Sequence, residues 1–298
     1  MIVLTWNIQG AWPGAPKERV RNQVEFIARY ENQPDILLFQ EVSRFRTEIR
    51  EYLNEIGYSA IEDTLDWASE LADSTVQPHQ DISHTNGNLT AVRDGVELNQ
   101  NSLDILGDEF DGVDVKHVDT HYPEKILVTD CKVGGWTIEC WNVRAVPGSM
   151  KGEEKIKILE TVFHRIMNGN EKLRILAGDF NTPNVELCDG QAVTHLNDKD
   201  PRIRHRWHNA ELNILKGLGH VGMLDTFRAI HGFGELNILD VSHATRTKNP
   251  LEVPEGEVEG VRFDHIFASR GLNLSDCFYD VEGFQFSDHA PLIAEFKL

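Results

Sequence analysis

Residues 173–183 read LRILAGDFNTP: an apolar run from Leu173 to Ala177 meets Gly178, and Asp179, Asn181 and Pro183 follow at once. A short, β-rich apolar run closed by Gly, Asn and Pro reads as a buried strand ending in a loop. Two readings compete for the polar pair. One is an Asx turn that merely ends the strand. The other is a site: Asp179 and Asn181 share a face if the backbone stays extended, with Gly178 leaving room for a substrate.

Working outward, polar residues of the same kind recur at other strand ends. Asn7 closes Ile2–Asn7, Glu41 follows the run Asp35–Gln40, and Asp264 and His265 sit within Arg262–Ala268. Asp288 and His289 precede the last strand, Pro291–Phe296. Further strands are expected at Asn88–Val92, Val96–Leu106, Cys277–Val281 and in a hairpin over 126–143 turning at Gly134-Gly135. Apolar stripes at helical spacing place helices at Lys17–Tyr30, Arg44–Ile56 and Glu153–Met167, with another at Trp207–Gly217. Long polar segments at 63–86, 191–206 and 247–259 read as loops of the kind that carry function.

With 298 residues, no repeat, no low-complexity tract and no linker, the chain reads as one domain, 1–298. No apolar run approaches the ~18 residues that span a bilayer. The start MIVLTWNIQG lacks the basic, then apolar pattern of a leader, so a cytoplasmic protein without membrane partners is expected. Cys131 should face Ile138 across the hairpin, leaving Cys140 a diagonal neighbour in poor disulfide geometry; all four cysteines are expected reduced and buried. The formal charge of −19 argues against a generally basic nucleic-acid surface and leaves room for a cation or a local basic patch.

Taken in order, WNIQG, QEV, GDFNTP, FDHIFAS and SDHAPL resemble the motif series of the endonuclease/exonuclease/phosphatase superfamily, across residues 3–296. The resemblance implies an α/β (α+β) fold, a four-layer α/β/β/α sandwich of two mixed, mostly antiparallel sheets, with the site at one end. It also implies a Mg²⁺-dependent (or Mn²⁺-dependent) phosphodiesterase. Glu41 would hold the metal, with Asp288 close by. Asp179 would orient and deprotonate water, and the Asn181 amide would donate to phosphate. His289 would stabilise developing charge, held by Asp264, and Asn7 would bind phosphate or metal-bound water.

Two positions depart from that pattern. Gln9 stands where some relatives carry an acidic ligand. Arg144, in WNVRAVPGS, stands where the family strand ends in a histidine or tyrosine. An arginine grips phosphate bidentately but donates no proton near neutral pH. For substrate contact the segment PRIRHRWHN, 201–209, offers Arg204, Arg206 and Trp207, with Arg202, as charge plus a stacking surface. Arg44, Arg46 and Arg50 could line the same rim, and Asp225 and Arg228 read as a helical ion pair. Nucleic acid, DNA before RNA, is the expected substrate; a small nucleotide or other phosphate ester is the alternative. A non-catalytic binding module of the same fold would rest on Arg144 alone.

Overall fold

Side chains alternate across a strand, and in the computed structural model this alternation divides the apolar residues between three layers of core. The structure describes residues 1–10, 17–42, 45–64, 87–107, 120, 122–169, 171–195, 200–234, 240–244 and 260–298. The sheet strands are β1 (Ile2–Asn7), β2 (Ile36–Val42), β3 (Ala60–Asp63), β4 (Gly87–Val92), β5 (Glu97–Gln100), β6 (Ile126–Val133), β7 (Trp136–Arg144), β8 (Leu173–Asp179), β9 (Met223–Asp225), β10 (Asp264–Ser269), β11 (Asn273–Tyr279) and β12 (Leu292–Lys297). The helices are α1 (Lys17–Ala28), α2 (Arg46–Glu55), α3 (Ser102–Gly107), α4 (Gly148–Asn168), α5 (Pro201–Leu215) and α6 (Thr226–His231).

Two six-stranded sheets result, ordered β11-β12-β1-β2-β4-β3 and β9-β10-β8-β7-β6-β5. Val3, Ile36, Leu38, Leu292 and Ala294 of the first sheet and Cys140, Ile175, Ala177 and Ile266 of the second share the central core. The opposite faces look outward: Leu4, Trp6, Leu37 and Phe39 pack on α1 and α2, and Trp141, Val143, Leu176 and Phe267 pack on α4 and α5. The expected four-layer α/β/β/α sandwich is therefore the observed one. Each sheet holds one parallel pair, β1 with β2 and β7 with β8, amid antiparallel neighbours.

Several boundaries differ from the sequence reading. Only Glu97–Gln100 of the expected Val96–Leu106 strand is extended, and α3 follows it. Helix α5 begins at Pro201, six residues early, because Asp200 caps it by accepting from the Arg202 backbone N–H at 2.9 Å and proline suits its first turn. Cys131 does face Ile138 in the β6–β7 register, and all four cysteines are free. Cys188, however, is exposed. Among the described residues no helix is long and apolar enough to cross a membrane.

Candidate active site

The inward faces of the strands carry the central core until they run out, and the next inward residue on each is polar. Ile175 and Ala177 are followed by Asp179 on β8, Val3 and Thr5 by Asn7 on β1, Cys140 and Asn142 by Arg144 on β7, while Asp264 precedes Ile266 and Ala268 on β10. Register ties them together: Asp179 lies opposite both Arg144 and Asp264. β1–β2 and β7–β8 are parallel pairs, and the hydrogen bond between Asn7 and Asp179 brings the C-terminal ends of both pairs to one end of the sandwich. Glu41 joins them through a bulge in the β2–β4 ladder between Phe39 and Val42, which interrupts the alternation there. The non-glycine residues with positive φ among the described residues are Gln9 (51°), Glu41 (60°) and Asn181 (50°). Such backbone conformations are costly and collect at functional sites.

The amides of Asn7 and Asn181 lock this cluster. Asn7 Nδ2 donates to Glu41 Oε1 at 3.2 Å and Asp179 Oδ2 at 3.0 Å, and its Oδ1 accepts from the Gln9 backbone N–H at 3.0 Å. The Asn181 backbone N–H donates to Asp179 Oδ1 at 2.9 Å, so the Asx turn exists, in a left-handed rather than an extended backbone. Asn181 Nδ2 donates to Ala145 O at 2.8 Å and Asp179 Oδ2 at 3.0 Å. Both amides have thus spent their donors on the protein. Asn7 and Asn181 position Asp179 and Glu41; the expected donation from Asn181 to a phosphate is not available in this arrangement, and its free group is the acceptor Oδ1. Gly178 also has a different reason from the one expected. Its φ is +140°, and a Cβ there would lie 1.8 Å from Val143 O, so glycine is required by the close approach of β7.

Beneath this loop, buried Glu211 of α5 accepts from Thr182 Oγ1 at 2.6 Å, from Trp207 Nε1 at 2.6 Å and from the His195 backbone N–H at 3.0 Å, and pairs with buried Lys155 of α4. Lys155 Nζ donates in turn to Asn181 O at 2.7 Å. Sequence reading missed this brace, since neither Lys155 nor Glu211 carries a motif.

Across the site, His289 Nδ1 lies 2.7 Å from Asp264 Oδ2. Ser242 Oγ accepts from the Asp264 N–H at 2.9 Å, and the Tyr279 hydroxyl donates to Asp264 O at 2.7 Å. Burial opposes a charged imidazole, but Asp264, Asp179 and Asp288 outweigh it and push His289 up to about 10. Burial drives Asp264 upward against the pull of His289; with three carboxylates on the ring's side, the shared proton belongs to His289. Asp288 accepts from Gln9 Nε2 at 2.9 Å, and Arg19 NH1 donates to Gln9 Oε1 at 3.1 Å. His243, also missed, stacks on Phe263 at 5.3 Å and tilts against His289 at 4.7 Å, its Nδ1 3.2 Å from Asp288 O.

Arg144 pairs closely with Glu41 Oε1, and its Nε lies 3.9 Å from Asp179 Oδ2. Burial pushes Glu41 up, but the Arg144 charge and the Asn7 amide hold it below the usual carboxylate range. Lys125, buried nearby beside Glu124, is lowered to about 8 by burial. The residues suit a hard divalent cation. Glu41, Asp179, Asp264 and Asp288 bring four negative charges against those of Arg144, Arg19 and the His289 imidazolium, leaving one. Asp264 Oδ1 is buried without a hydrogen bond, and ligand atoms of Asp179, Asp264 and His289 lie within 4.8 Å of one another, as do those of His243, Asp288 and His289. Oxygen donors of this kind are what Mg²⁺ and Mn²⁺ prefer.

The expected substrate-binding patch keeps its arginines at the surface but loses its stacking ring. Trp207 is 1 % exposed and lies against Gly148 and Gly152, where either Cβ would strike its ring, so it offers no stacking face. Arg206 is held by Glu160 at 2.8 Å and by Glu153 on α4, and Arg202 folds back on Asp200 at 2.9 Å. Arg204 stays exposed on α5. Arg46 and Arg50 are spent on Asp63 at 2.6 and 2.7 Å, and Arg44 lies outside the described residues. Asp225 and Arg228 do not pair through side chains: Asp225 caps α6 by accepting from the Arg228 N–H and binds Arg262 at 2.9 Å, while Arg228 binds Glu186 at 2.9 Å. His265 points away from Asp264, as its strand position requires, and sits 3.5 Å from Asp225.

Comparison with known proteins adds to this geometry. A search of curated protein sequences gives no match. Among solved structures, D. rerio TDP2 complexed with a single-strand DNA product superposes with TM-score 0.62 at 16% identity, covering 100% of this chain and 99% of that one. The Xenopus laevis APE2 catalytic domain gives 0.62 at 19% identity, covering 100% and 92%. An endonuclease/exonuclease/phosphatase from Beutenbergia cavernae gives 0.59 at 17%, covering 100% and 71%. At these identities the likeness is one of fold. Residues 4–289 match the sequence profile of the Endonuclease/Exonuclease/phosphatase family, which runs from the first strand to His289. The chain therefore belongs to the endonuclease/exonuclease/phosphatase family, whose hydrolases act on phosphoester bonds.

Proposed function

We propose that this protein is a Mg²⁺-dependent phosphodiesterase that cleaves DNA. The observation that carries the reading is the convergence of Asp179, locked by two amides, with the Asp264–His289 pair, whose ligand atoms lie within 4.8 Å of one another. Water attacking phosphorus needs a proton acceptor, and Asp179 is a carboxylate whose orientation is fixed before substrate arrives. The new P–O bond forms as the bond to the leaving oxygen breaks, and negative charge grows on the non-bridging oxygens. His289, charged at neutral pH and held at Nδ1 by Asp264, offers Nε2 to that charge. A divalent cation held by Glu41 and Asp288 would supply Lewis-acid neutralisation at the phosphate. Asn7 keeps Glu41 and Asp179 in mutual register.

The choice of DNA is supported by the fold shared with D. rerio TDP2, solved with a single-strand DNA product, and by exposed Arg204 on α5. A small phosphate ester is the second reading, favoured by the charge of −19, the burial of Trp207 and the pairing of Arg206 with Glu160. The test is cleavage of plasmid, single-stranded DNA, RNA and a chromogenic phosphodiester in Mg²⁺, Mn²⁺ or EDTA. Metal-dependent cleavage of DNA that disappears in Asp179→Ala and His289→Ala is expected. Activity on the chromogenic ester alone selects the small substrate, and activity surviving in both variants sinks the assignment.

A further inference from the structure

We infer that Arg144 takes the place of a second divalent cation: its guanidinium spans Glu41 and Asp179, so the site admits one metal ion and binds it against a resident positive charge. The inference rests on the phosphodiesterase reading above and adds to it the stoichiometry and the strength of cation binding.

Four observations support it. Arg144 pairs with Glu41 Oε1 through one end of the guanidinium while Nε lies 3.9 Å from Asp179 Oδ2, so one planar group faces two carboxylates as a bridging ion would. The β7–β8 register sets Arg144 directly opposite Asp179, which makes the placement a property of the sheet rather than of a flexible loop. Nε is buried yet has no hydrogen-bond partner, so the side chain is held there by charge, not by complete hydrogen bonding. Finally, Gln9 brings an amide, not a carboxylate, to Asp288 at 2.9 Å.

Arg144 is a fixed positive charge set against the two carboxylates that a bridging cation would use. The same charge that holds Glu41 and Asp179 together without metal must therefore weaken cation binding.

The test is Mn²⁺ titration of the full chain by electron paramagnetic resonance and calorimetry, with thermal unfolding in EDTA and in Mn²⁺. Wild type should take up one Mn²⁺. Arg144→Met should bind it at least ~10-fold more tightly or take up a second equivalent, and Arg144→Lys, which keeps the charge, should stay within about threefold of wild type. Arg144→Met should also lose stability in EDTA and regain more of it on adding Mn²⁺ than wild type does. If the methionine variant does not fold, Arg144→Gln carries the comparison. A neutral variant matching wild type in affinity and stoichiometry, two Mn²⁺ ions on wild type, or no Mn²⁺ on either protein overturns the inference. Mn²⁺ uptake that survives Glu41→Gln, or EDTA-resistant cleavage, would instead sink the phosphodiesterase reading.

Discussion

Asp264 and His265 are neighbours on β10, and each takes part in a buried carboxylate–histidine contact, but the two contacts belong to very different places. On one side His265 lies 3.5 Å from Asp225 within a network in which Arg262 binds Asp225 at 2.9 Å and Glu186 at 2.7 Å, and Arg228 binds Glu186 at 2.9 Å. Two arginines answer two carboxylates, and every carboxylate oxygen has a donor. On the other side Asp264 holds His289 with one oxygen and leaves Oδ1 unpartnered. That site keeps negative charge over and concentrates the positive-φ residues of the molecule's described part. A buried Asp–His pair is therefore no signature of chemistry. What separates a structural network from a site is uncompensated carboxylate charge and strained backbone at an open sheet end.

The largest test of that distinction is a pair of isosteric changes. Asp179→Asn should lower kcat for phosphodiester cleavage by ~10²–10⁴-fold, the range for loss of a general base, at a stability cost of no more than about 1–3 kcal/mol, because one oxygen that accepts from Asn7 or Asn181 becomes a donor. Asp225→Asn should leave kcat of the folded enzyme within a few-fold while costing about 3–5 kcal/mol in denaturant unfolding, since it leaves buried Arg262 and Arg228 to share the single charge of Glu186. If the two variants exchanged phenotypes, the comparison would fail.

A smaller effect separates the regions by pH. The folded pKa of His289, about 10, lies above the ordinary histidine value. Its contribution to stability is fully present below pH ~6.5 and is lost as pH rises through about 10. In EDTA, the stability of wild type should fall over that window by more than that of His289→Gln. Parallel curves for the two proteins would remove the imidazolium from the site. The smallest effect is expected at the rim. Arg204→Ala should change stability by less than about 0.5 kcal/mol and weaken DNA binding evenly across sequences, lowering the salt slope by about 1. An unchanged slope would take α5 out of the DNA path and favour the small-ester reading.

Much of this site was legible in the chain because strand alternation has a period of 2. Once LRILAGD reads as a strand with Ile175 and Ala177 inward, Asp179 must face inward too, and the same count works for Asn7 and Asp264. The start of α5 is written locally as well, in Asp200-Pro201, a cap followed by a proline in the first turn. Other features obey no local rule. The β2 bulge that admits Glu41 depends on the ladder with β4. Trp207 is apolar enough for either a stacking platform or a core, and only the glycines opposite it on α4 settle the matter. The reason for Gly178 lies in a backbone 35 residues earlier, at Val143.

The chain by itself determined the strands, the inward facing of Asn7, Asp179 and Asp264, and the family motifs, because alternation and short-range spacing are local properties; the layered architecture followed only from the resemblance those motifs carry. The tertiary structure alone decided which charges are already answered: Arg206 by Glu160, Arg228 by Glu186, Arg144 by Glu41. Charge compensation acts over a few ångströms of space regardless of separation along the chain, so no reading of neighbours in sequence can supply it.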